Sequence, residues 1–570
     1  MLLLPAWRAL RSLSPTLSVF WACGIRSMQG MAHSPTTRAE DWKKRSVVSS
    51  FILRADDNEP RIALFKRSSK VSTYQHHLAP ISGTIDPSDG SPLSTAWREI
   101  KEETTLTPAS LTLLRQGKPY TFADASIRRE WTIFPFLFRL NNADAEKLIQ
   151  TDWEHEGWGW YDPGAVIADA DAESPSLLGV PRLAESLRRV WFEADLGRTA
   201  GKVLSDGLDA LAHDYESGAR QLAGAALQTL RGVVAALDAP GDGPTDEWWA
   251  KVRSAAWHLW KNGRESMGAA IMSALLGALA GIEQTLQDPG RRTPWRDVVL
   301  SQLDARIAAR QKSAELVSRA FAAYLEKAFA SKRTSHEPVS VLTLSESSTI
   351  RQALQHAALQ SGFVLDIRVL ESRPLYEGVA LARSLASDLS AEHPSASPTP
   401  QHRVTLYTDA SAALAASAID VLLLGADRIA SSGAVSNKTG SLPAALSAKH
   451  VCPAVKVVVL GESEKIAPPG RPEDHVVEDN DPSQVSRAWQ AAYNSTRVRQ
   501  AAAMLGKTEP EREPARDGRV KVELRNIFFE WVPSGLIDTY ITESGEWTVQ
   551  HITQHSAKLD AERKRFFENL

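Results

Sequence analysis

The densest chemistry in the chain lies in Arg98-Glu99-Ile100-Lys101-Glu102-Glu103. A helical period puts Glu99, Glu102 and Glu103 on one face, at i, i+3 and i+4. Carboxylates crowded in this way repel one another, and a hard divalent cation, Mg²⁺ or Mn²⁺, relieves the repulsion. A cation held there neutralises a pyrophosphate and activates an attacking water. Arg98 adds a fixed positive charge that orients one of the acids. The plain alternative for such a run is a solvated acidic face. Ser91 as N-cap and Pro92 at the first helical position open the helix. Ala96 and Ile100 form a second face for packing against a sheet.

The elements that position this run follow from patterning. Ser46–Leu53 reads as a strand and Arg61–Lys66 as its hairpin partner across a polar turn. After the acidic helix come a strand at Trp131–Leu140 and the aromatic segment Trp153–Trp160. Within that segment Glu154 and Glu156 are candidates for a further metal ligand or a general base. The competing reading is polar residues alternating with buried tryptophans on a strand. This α+β order places a first domain at 44–175.

From 180 to 333 the periodicity is helical. Leu222, Ala225, Ala226 and Leu230 share one face, as do Trp249, Val252, Ala256 and Trp260. Ala239–Pro244 breaks the run as a loop. From 334 to 570 short apolar strands (Val339–Leu344, Phe363–Leu370, Arg403–Leu406, Val421–Leu424, Ala454–Leu460) alternate with helices. Such alternation predicts an α/β Rossmann-like parallel sheet. Glu392–His402 and Lys507–Arg519 read as surface loops.

A chain of 570 residues needs two or three cores. Its 43% apolar and 23% charged residues are ordinary for a globular protein. The net charge of −3 gives no reason to expect direct nucleic-acid binding. Only Cys23 and Cys452 occur, so a disulfide framework is excluded and a reducing compartment expected. No segment reaches the ~18 uninterrupted apolar residues of a membrane-spanning helix. Trp248, Trp249, Trp257 and Trp260 fall in one helical segment and read as packing residues. Residues 1–39 lack acids and carry Arg8, Arg11, Arg26 and Arg38, a composition that suits a mitochondrial transit peptide. A start at Met28 or Met31 is the alternative, and the cytoplasm is the default location, with the mitochondrial matrix following if the presequence is real.

Gly83, following His77–Ser82, then Arg98–Glu103 and Thr104-Thr105-Leu106, together resemble the Nudix box, a glycine, a glutamate, then R-E-U-x-E-E-x-G-U with U aliphatic. The resemblance implies a metal-dependent hydrolase with Arg98, Glu99, Glu102 and Glu103 as catalytic residues. Glu99, Glu102 and Glu103 would be its metal ligands. Three departures stand out. The Gly83–Arg98 loop is one residue longer than the family pattern, the first glutamate falls at Asp89 or Gly90, and the late glycine is Thr105. The substrate-side loop therefore departs from the pattern, while the catalytic half is intact.

Asp427 stands just past the apolar strand Val421–Leu424, where open α/β sheets bind ligands. Gly433–Ser441 reads as the opening of a helix whose N–H groups, with Lys438, suit a phosphate. Glu371–Gly378, Arg525–Pro533 and Thr542-Glu543, with Ser217–Arg220 and Arg264–Met267, resemble the initiation factor 2B alpha/beta/delta superfamily. The methylthioribose-1-phosphate and ribose-1,5-bisphosphate isomerases belong to it. The resemblance spans about residues 185–560. It implies an acid/base aspartate at Asp427 and a cysteine at the position held by Ser345, while an N-terminal arginine of the isomerases falls at Ser217. Arg264, Arg373, Asn437 and Lys438 remain as anchors for a sugar phosphate, with fold maintenance as their other role. Serine is a poor proton shuttle near neutral pH, so the isomerase reaction is expected to be lost.

The leading expectation is a Nudix-type hydrolase of a nucleoside diphosphate linked to another moiety. It is fused to a domain that binds a sugar phosphate or nucleotide without isomerising it, and the superfamily implies a homodimer. The alternative is a non-catalytic, initiation-like regulatory or assembly protein. An aldose–ketose isomerase ranks third.

Overall fold

The computed structural model describes residues 42–54, 59–214, 217–238, 243–288, 294–390, 402–472, 477, 479–490 and 524–570. The segments 1–39 and Lys507–Arg519 fall outside these residues, as do 239–242 and 391–401.

Lys43–Leu53 runs parallel to Arg129–Leu140 along its whole length and pairs antiparallel with Ile62–Arg67. These strands centre a seven-stranded mixed sheet that also takes in Leu111–Gln116, Tyr120–Asp124 and His155–Tyr161. The second half of Lys43–Leu53 is buried on both faces, because both faces are covered by helices. On one side Pro92–Thr104 inserts Ala96 and Ile100, each 0% exposed. On the other, Pro163–Ala170 and Leu183–Arg188 bring in Val166, Ile167, Leu183 and Leu187. Deleting a side chain such as Ile100 from this core would cost about 2–5 kcal/mol.

The helices from Glu193 to Gln311 follow, packed around a core that includes Leu204, Leu230, Val252 and Leu275, whereas Ser313–Ser335 buries Val317, Phe321 and Leu325 in the core of the α/β part. Gly268–Gln287 is long and apolar enough to cross a membrane by length and composition, yet it is the central helix of this bundle. Trp248 and Trp257 are buried, and Trp249 and Trp260 pack on Phe566 and Phe567 of the last helix, Val549–Phe567.

The edge strand Leu111–Gln116 joins the first sheet to this bundle. Arg115 is buried, donates to both Glu193 carboxylate oxygens at 2.9 and 2.8 Å, and lies 3.9 Å over the Phe192 ring. Asn262 treats Gln116 as a neighbouring strand would, accepting from its N–H at 2.6 Å and donating to its carbonyl at 3.0 Å.

A second seven-stranded sheet occupies the C-terminal part. Its order is Arg403–Tyr407, Leu365–Leu370, Val339–Leu344, Val421–Leu424, Lys456–Leu460, Thr539–Thr542, Gly545–Trp547, parallel except at the last pair. From Val339–Leu344 the chain builds outward in one direction, then restarts on the other side with Val421–Leu424. That junction is the topological switch point, where open α/β sheets bind ligands. Gly378 is required just beyond this sheet, since a Cβ there would sit 1.8 Å from the Leu370 carbonyl oxygen.

Gly433–Ser441 departs from expectation. Val435–Lys438 is a strand pairing with Arg428–Ile429 and Phe529–Val532, and the helix begins only at Ser441. The partner strand lies about ninety residues further along the chain, so no local signal announces it.

Candidate functional site

Ser91 caps the acidic helix by accepting from Ser94 N–H at 3.1 Å, with Pro92 at its first position. The helix presents Glu99 and Glu103 inward. Glu103 is 4% exposed, and burial, followed by the charges of Glu154, Glu99 and Asp152, raises its pKa well above the ordinary carboxylate value. Burial also raises Glu99, against the pull of Arg98, and raises Glu154, which stands across the cleft. Glu102 shares the helix face but is largely exposed, 3.2 Å from Arg98 Nη1. Glu156 does not join the cluster. It pairs with Lys66 and His76 on the surface, which holds its carboxyl below the ordinary value.

The loop before the helix is more complete than its sequence suggests. Asp89, rather than Gly90, meets Arg98, and its two oxygens take Nε and Nη2 at 2.9 Å each. Asp86 and Asp89 close the 3-10 turn Pro87–Asp89 as a capping box, which accommodates the extra residue. The Arg98 fork depresses Asp89 far below the usual carboxylate range. A Cβ at Gly83 would lie 1.9 Å from Glu99 Cδ, so any side chain there would displace the Glu99 carboxylate. Thr105 takes the left-handed helix end, at φ 65°, where the Nudix pattern has glycine. Its hydroxyl donates to the Leu148 carbonyl at 2.8 Å.

His155 and Asp152 belong to the site although sequence patterning did not single them out. The His155 side chain is 1% exposed, with Nε2 3.4 Å from Glu103 Oε2 and Nδ1 3.4 Å from Asp152 Oδ1. The only sequence signal was their place beside Glu154.

Hard, mutually repelling carboxylates suit a divalent cation of the Mg²⁺ class. Among the described residues no three His, Cys, Asp or Glu side chains form a ready-made coordination shell. Glu99 turns instead to Arg98, 2.8 Å from Nη1, while Glu103 faces His155. Glu99, Glu103 and Glu154 have the chemistry to hold such an ion once Glu99 leaves Arg98. A cleft of about 800 Å³ opens beside them, lined by Arg67, Tyr74, Glu99, Phe122, Trp131 and Glu154 among others.

A second cavity, of about 340 Å³, lies at the switch point. Ser345 to Thr349, Gly425 to Asp427, Asn437, Lys438, Arg264, Arg220 and Lys465 line it. Four of the five C-terminal candidates therefore share one cavity. Arg373 does not line it. Its side chain is half exposed, 3.3 Å from Glu371 and bonded to the Tyr376 hydroxyl at 2.9 Å, which is the structural role. Lys438 is buried but already paired, 2.5 Å from Glu377 Oε1 and 4.1 Å over the Phe528 ring. Asn437 Nδ2 donates to Ser441 Oγ at 2.9 Å. The helix N-terminus at Ser441 is occupied too, since Glu530 accepts from the N–H of Gly440 and Leu442 at 2.6 and 3.0 Å. It is therefore not the phosphate site that the sequence suggested. The helix that opens on the cavity is Ser348–Leu359, capped by Ser347.

Arg264, only 7% exposed, donates to the Asp214 carbonyl at 2.9 Å. Ser345 has φ 64° and its N–H donates to Ser372 Oγ at 2.7 Å. Arg220 and Lys465 went unassigned in the sequence. Arg220 stands in the quoted Ser217–Arg220 segment, whereas Lys465, 3.2 Å from Glu462, carries no motif.

The sequence pattern of the NUDIX domain matches residues 43–179, and that of the initiation factor 2 subunit family matches 216–549. A methylthioribose-1-phosphate isomerase of Syntrophotalea carbinolica is 31% identical over 193 residues, 33% of this chain and 45% of that protein. The chain thus spans less than half the length of that relative. Among solved structures, translation initiation factor eIF-2B of Pyrococcus horikoshii is similar at 19% identity and a TM-score of 0.40, covering 60% of this chain and 96% of the other. The 5-methylthioribose 1-phosphate isomerase of the same organism is similar at 17% identity and a TM-score of 0.41, covering 63% and 87%. The chain belongs to the initiation factor 2 subunit family and carries a NUDIX domain ahead of that region.

Proposed function

We propose that the N-terminal domain is a Mg²⁺- or Mn²⁺-dependent hydrolase of a nucleoside diphosphate linked to another moiety. The observation that carries this reading is the buried Glu103 carboxylate with Glu99 and Glu154 beside the cleft, raised together above their ordinary pKa values. A bound divalent cation would neutralise the diphosphate and acidify an attacking water. Glu99, Glu103 and Glu154 would hold it, with Glu102 adding negative charge at the rim. Arg98 keeps Glu99 in place from its own anchor on Asp89. His155, walled in by Asp152 and the Phe65 ring at 5.2 Å, orients Glu103. Incubating the full chain with Mg²⁺ and ADP-ribose or related diphosphates, then identifying the two phosphorylated products, tests the reading; absence of turnover across such a panel counts against it.

The C-terminal cavity is proposed to bind a sugar phosphate or nucleotide without isomerising it. Arg220, Arg264, Lys438 and Lys465 give it basic donors for an anion, although Lys438 is shared with Glu377 and Lys465 with the buried Glu462. Ser345 lacks the thiol that aldose–ketose chemistry in this superfamily would use there. A ligand that binds only the folded protein raises its melting temperature. Ribose 5-phosphate should do so, and formation of a ketose product would overturn the non-isomerising reading. Its neighbours' pairing is what favours the second reading, a regulatory or assembly role for this half. We further propose a homodimer in the cytoplasm, acting on small molecules rather than nucleic acid or membrane.

A further inference from the structure

The NUDIX region does not build the large cleft alone. Val180, Pro181, Leu183 and Ser186 line it, and all four lie beyond residue 179, where the NUDIX pattern ends. They form a wall with Tyr120, which lines the cleft from the first position of the strand Tyr120–Asp124. The Tyr120 hydroxyl donates to the Arg182 carbonyl at 3.2 Å and pairs with Ser186 Oγ at 2.8 Å. Arg189 closes over the same residue. Its guanidinium lies 4.6 Å from the Tyr120 ring centre, and Nη1 donates to the Lys118 carbonyl at 3.2 Å.

The helical bundle grips the chain just before this wall. Gln116 stands four residues ahead of Tyr120, and the helix Asp246–Asn262 ends against it. Asn262 bonds both main-chain groups of Gln116, and Gln116 Nε2 donates to the Lys261 carbonyl at 2.9 Å. The connection from Gln116 to Tyr120 has little slack. The Gly117 N–H donates to the Pro135 carbonyl at 2.8 Å, and a Cβ on Gly117 would lie 2.8 Å from the Arg189 carbonyl oxygen. In the other direction, Arg264 lies two residues beyond Asn262 and lines the C-terminal cavity. One side-chain bridge and a short length of main chain therefore join the two cavities.

We infer that the two cavities are coupled through Asn262 and Gln116, so that an anion taken by Arg264 reorders the Tyr120–Ser186 wall of the cleft. Arg264 has two acceptors to choose between. Its guanidinium now donates to the Asp214 carbonyl, and an anion entering the cavity offers a stronger, charge-assisted bond. Turning toward the anion pulls on the end of the helix. Close-packed joints pass such a displacement on rather than absorb it. Linkage makes the effect reciprocal, so a ligand ordering the wall also changes anion affinity at Arg264. This coupling rests on the reading of the C-terminal cavity as an anion site, and it holds whichever bond the first domain cuts.

Hydrogen–deuterium exchange of the full chain, with ribose 5-phosphate as the probe of the C-terminal cavity, tests the coupling without turnover. In wild type the probe should slow exchange severalfold at residues 117–124 and 180–186 as well as at Ser345–Thr349. In Asn262→Ala, protection at Ser345–Thr349 should remain and protection of the cleft segments should vanish. Matching circular dichroism melts check that the variant is folded. Asn262→Asp, which keeps the acceptor for Gln116 and loses the donor, should give a reduced effect and replaces Asn262→Ala if that variant fails to fold. Wild-type protection confined to the C-terminal cavity overturns the coupling while leaving the binding reading intact. Cleft protection that survives in Asn262→Ala also overturns it, since the probe then acts on the cleft directly. If ribose 5-phosphate protects neither region, the binding reading fails by itself and Arg264→Ala takes the place of the probe. Altered exchange at residues 117–124 in that variant supports the coupling, and unchanged exchange overturns it.

Discussion

Glu103 shows how this site trades stability for chemistry. In the unfolded chain it ionises near 4.5, whereas burial and the charges of Glu154, Glu99 and Asp152 raise it in the fold. A raised carboxylate contributes stability that is complete below about pH 4.5 and is lost as pH rises through the folded value. Each tenfold displacement of that proton equilibrium is worth about 1.4 kcal/mol. In metal-free protein the melting temperature of wild type relative to Glu103→Gln should therefore fall from pH 4.5 to 7.5. At pH 7.5 without metal the variant should be the more stable protein, and Mg²⁺ should narrow the gap; a less stable variant would refute the charge-strain account. Thr105 allows a second check. A branched residue at positive φ is strained by roughly 1 kcal/mol, and its hydroxyl bond to Leu148 offsets part of this. Thr105→Val keeps the strain and loses the bond, so calorimetry should find it less stable than Thr105→Gly. At this scale the acids were readable because their spacing is helical. Asp89 as Arg98's partner was not resolved from Gly90, since one inserted residue leaves two registers and only the folded turn selects one.

Local signals served the elements well where the elements are local. Ser91-Pro92 marked a helix start, and alternation or continuous apolar runs marked the strands. The stretch Gly433–Lys438 misled because its strand pairs with only two residues nearby, Arg428–Ile429, and along its whole length with the distant Phe529–Val532. The joint between the first sheet and the helical bundle was likewise invisible, since Arg115, Glu193 and Asn262 are far apart in sequence. Its energetics can be measured. Arg115→Met leaves Glu193 without its partner and should cost about 3 kcal/mol in denaturant unfolding, with Arg115→Met/Glu193→Leu recovering part of it. His258, fully buried, has its pKa lowered to about 3, chiefly by burial, and its Nδ1 lies 3.0 Å from Asn262 Nδ2. Protonation removes that acceptor. Because the folded value is depressed, stability is present above about pH 6.5 and is lost as pH falls toward the folded value. His258→Phe should therefore lose less melting temperature than wild type between pH 7 and 5.

At the scale of the molecule, a NUDIX domain precedes an initiation factor 2 subunit region, and each brings a cavity built at a sheet. The two-part organisation was legible because each part carries its own motif. Which basic groups in the second cavity remain available was not, because Lys438 meets Glu377 and Lys465 meets Glu462 only in the fold. Leu375, Val379 and Leu406 leave apolar surface exposed on the α/β part, in keeping with the proposed homodimer. Light scattering at micromolar concentration should give twice the chain mass, and a monomer throughout would reject the dimer. The central claim is metal-dependent diphosphate hydrolysis at Glu103. The most direct measurement is turnover of a panel of nucleoside diphosphate conjugates by wild type and Glu103→Gln, with Mg²⁺, with Mn²⁺ and with chelator. The account predicts at least one substrate cleaved by wild type, no cleavage under chelation, and a loss of about a hundredfold or more in the folded variant. Full activity in Glu103→Gln, or no cleavage of any conjugate with either metal, would contradict it.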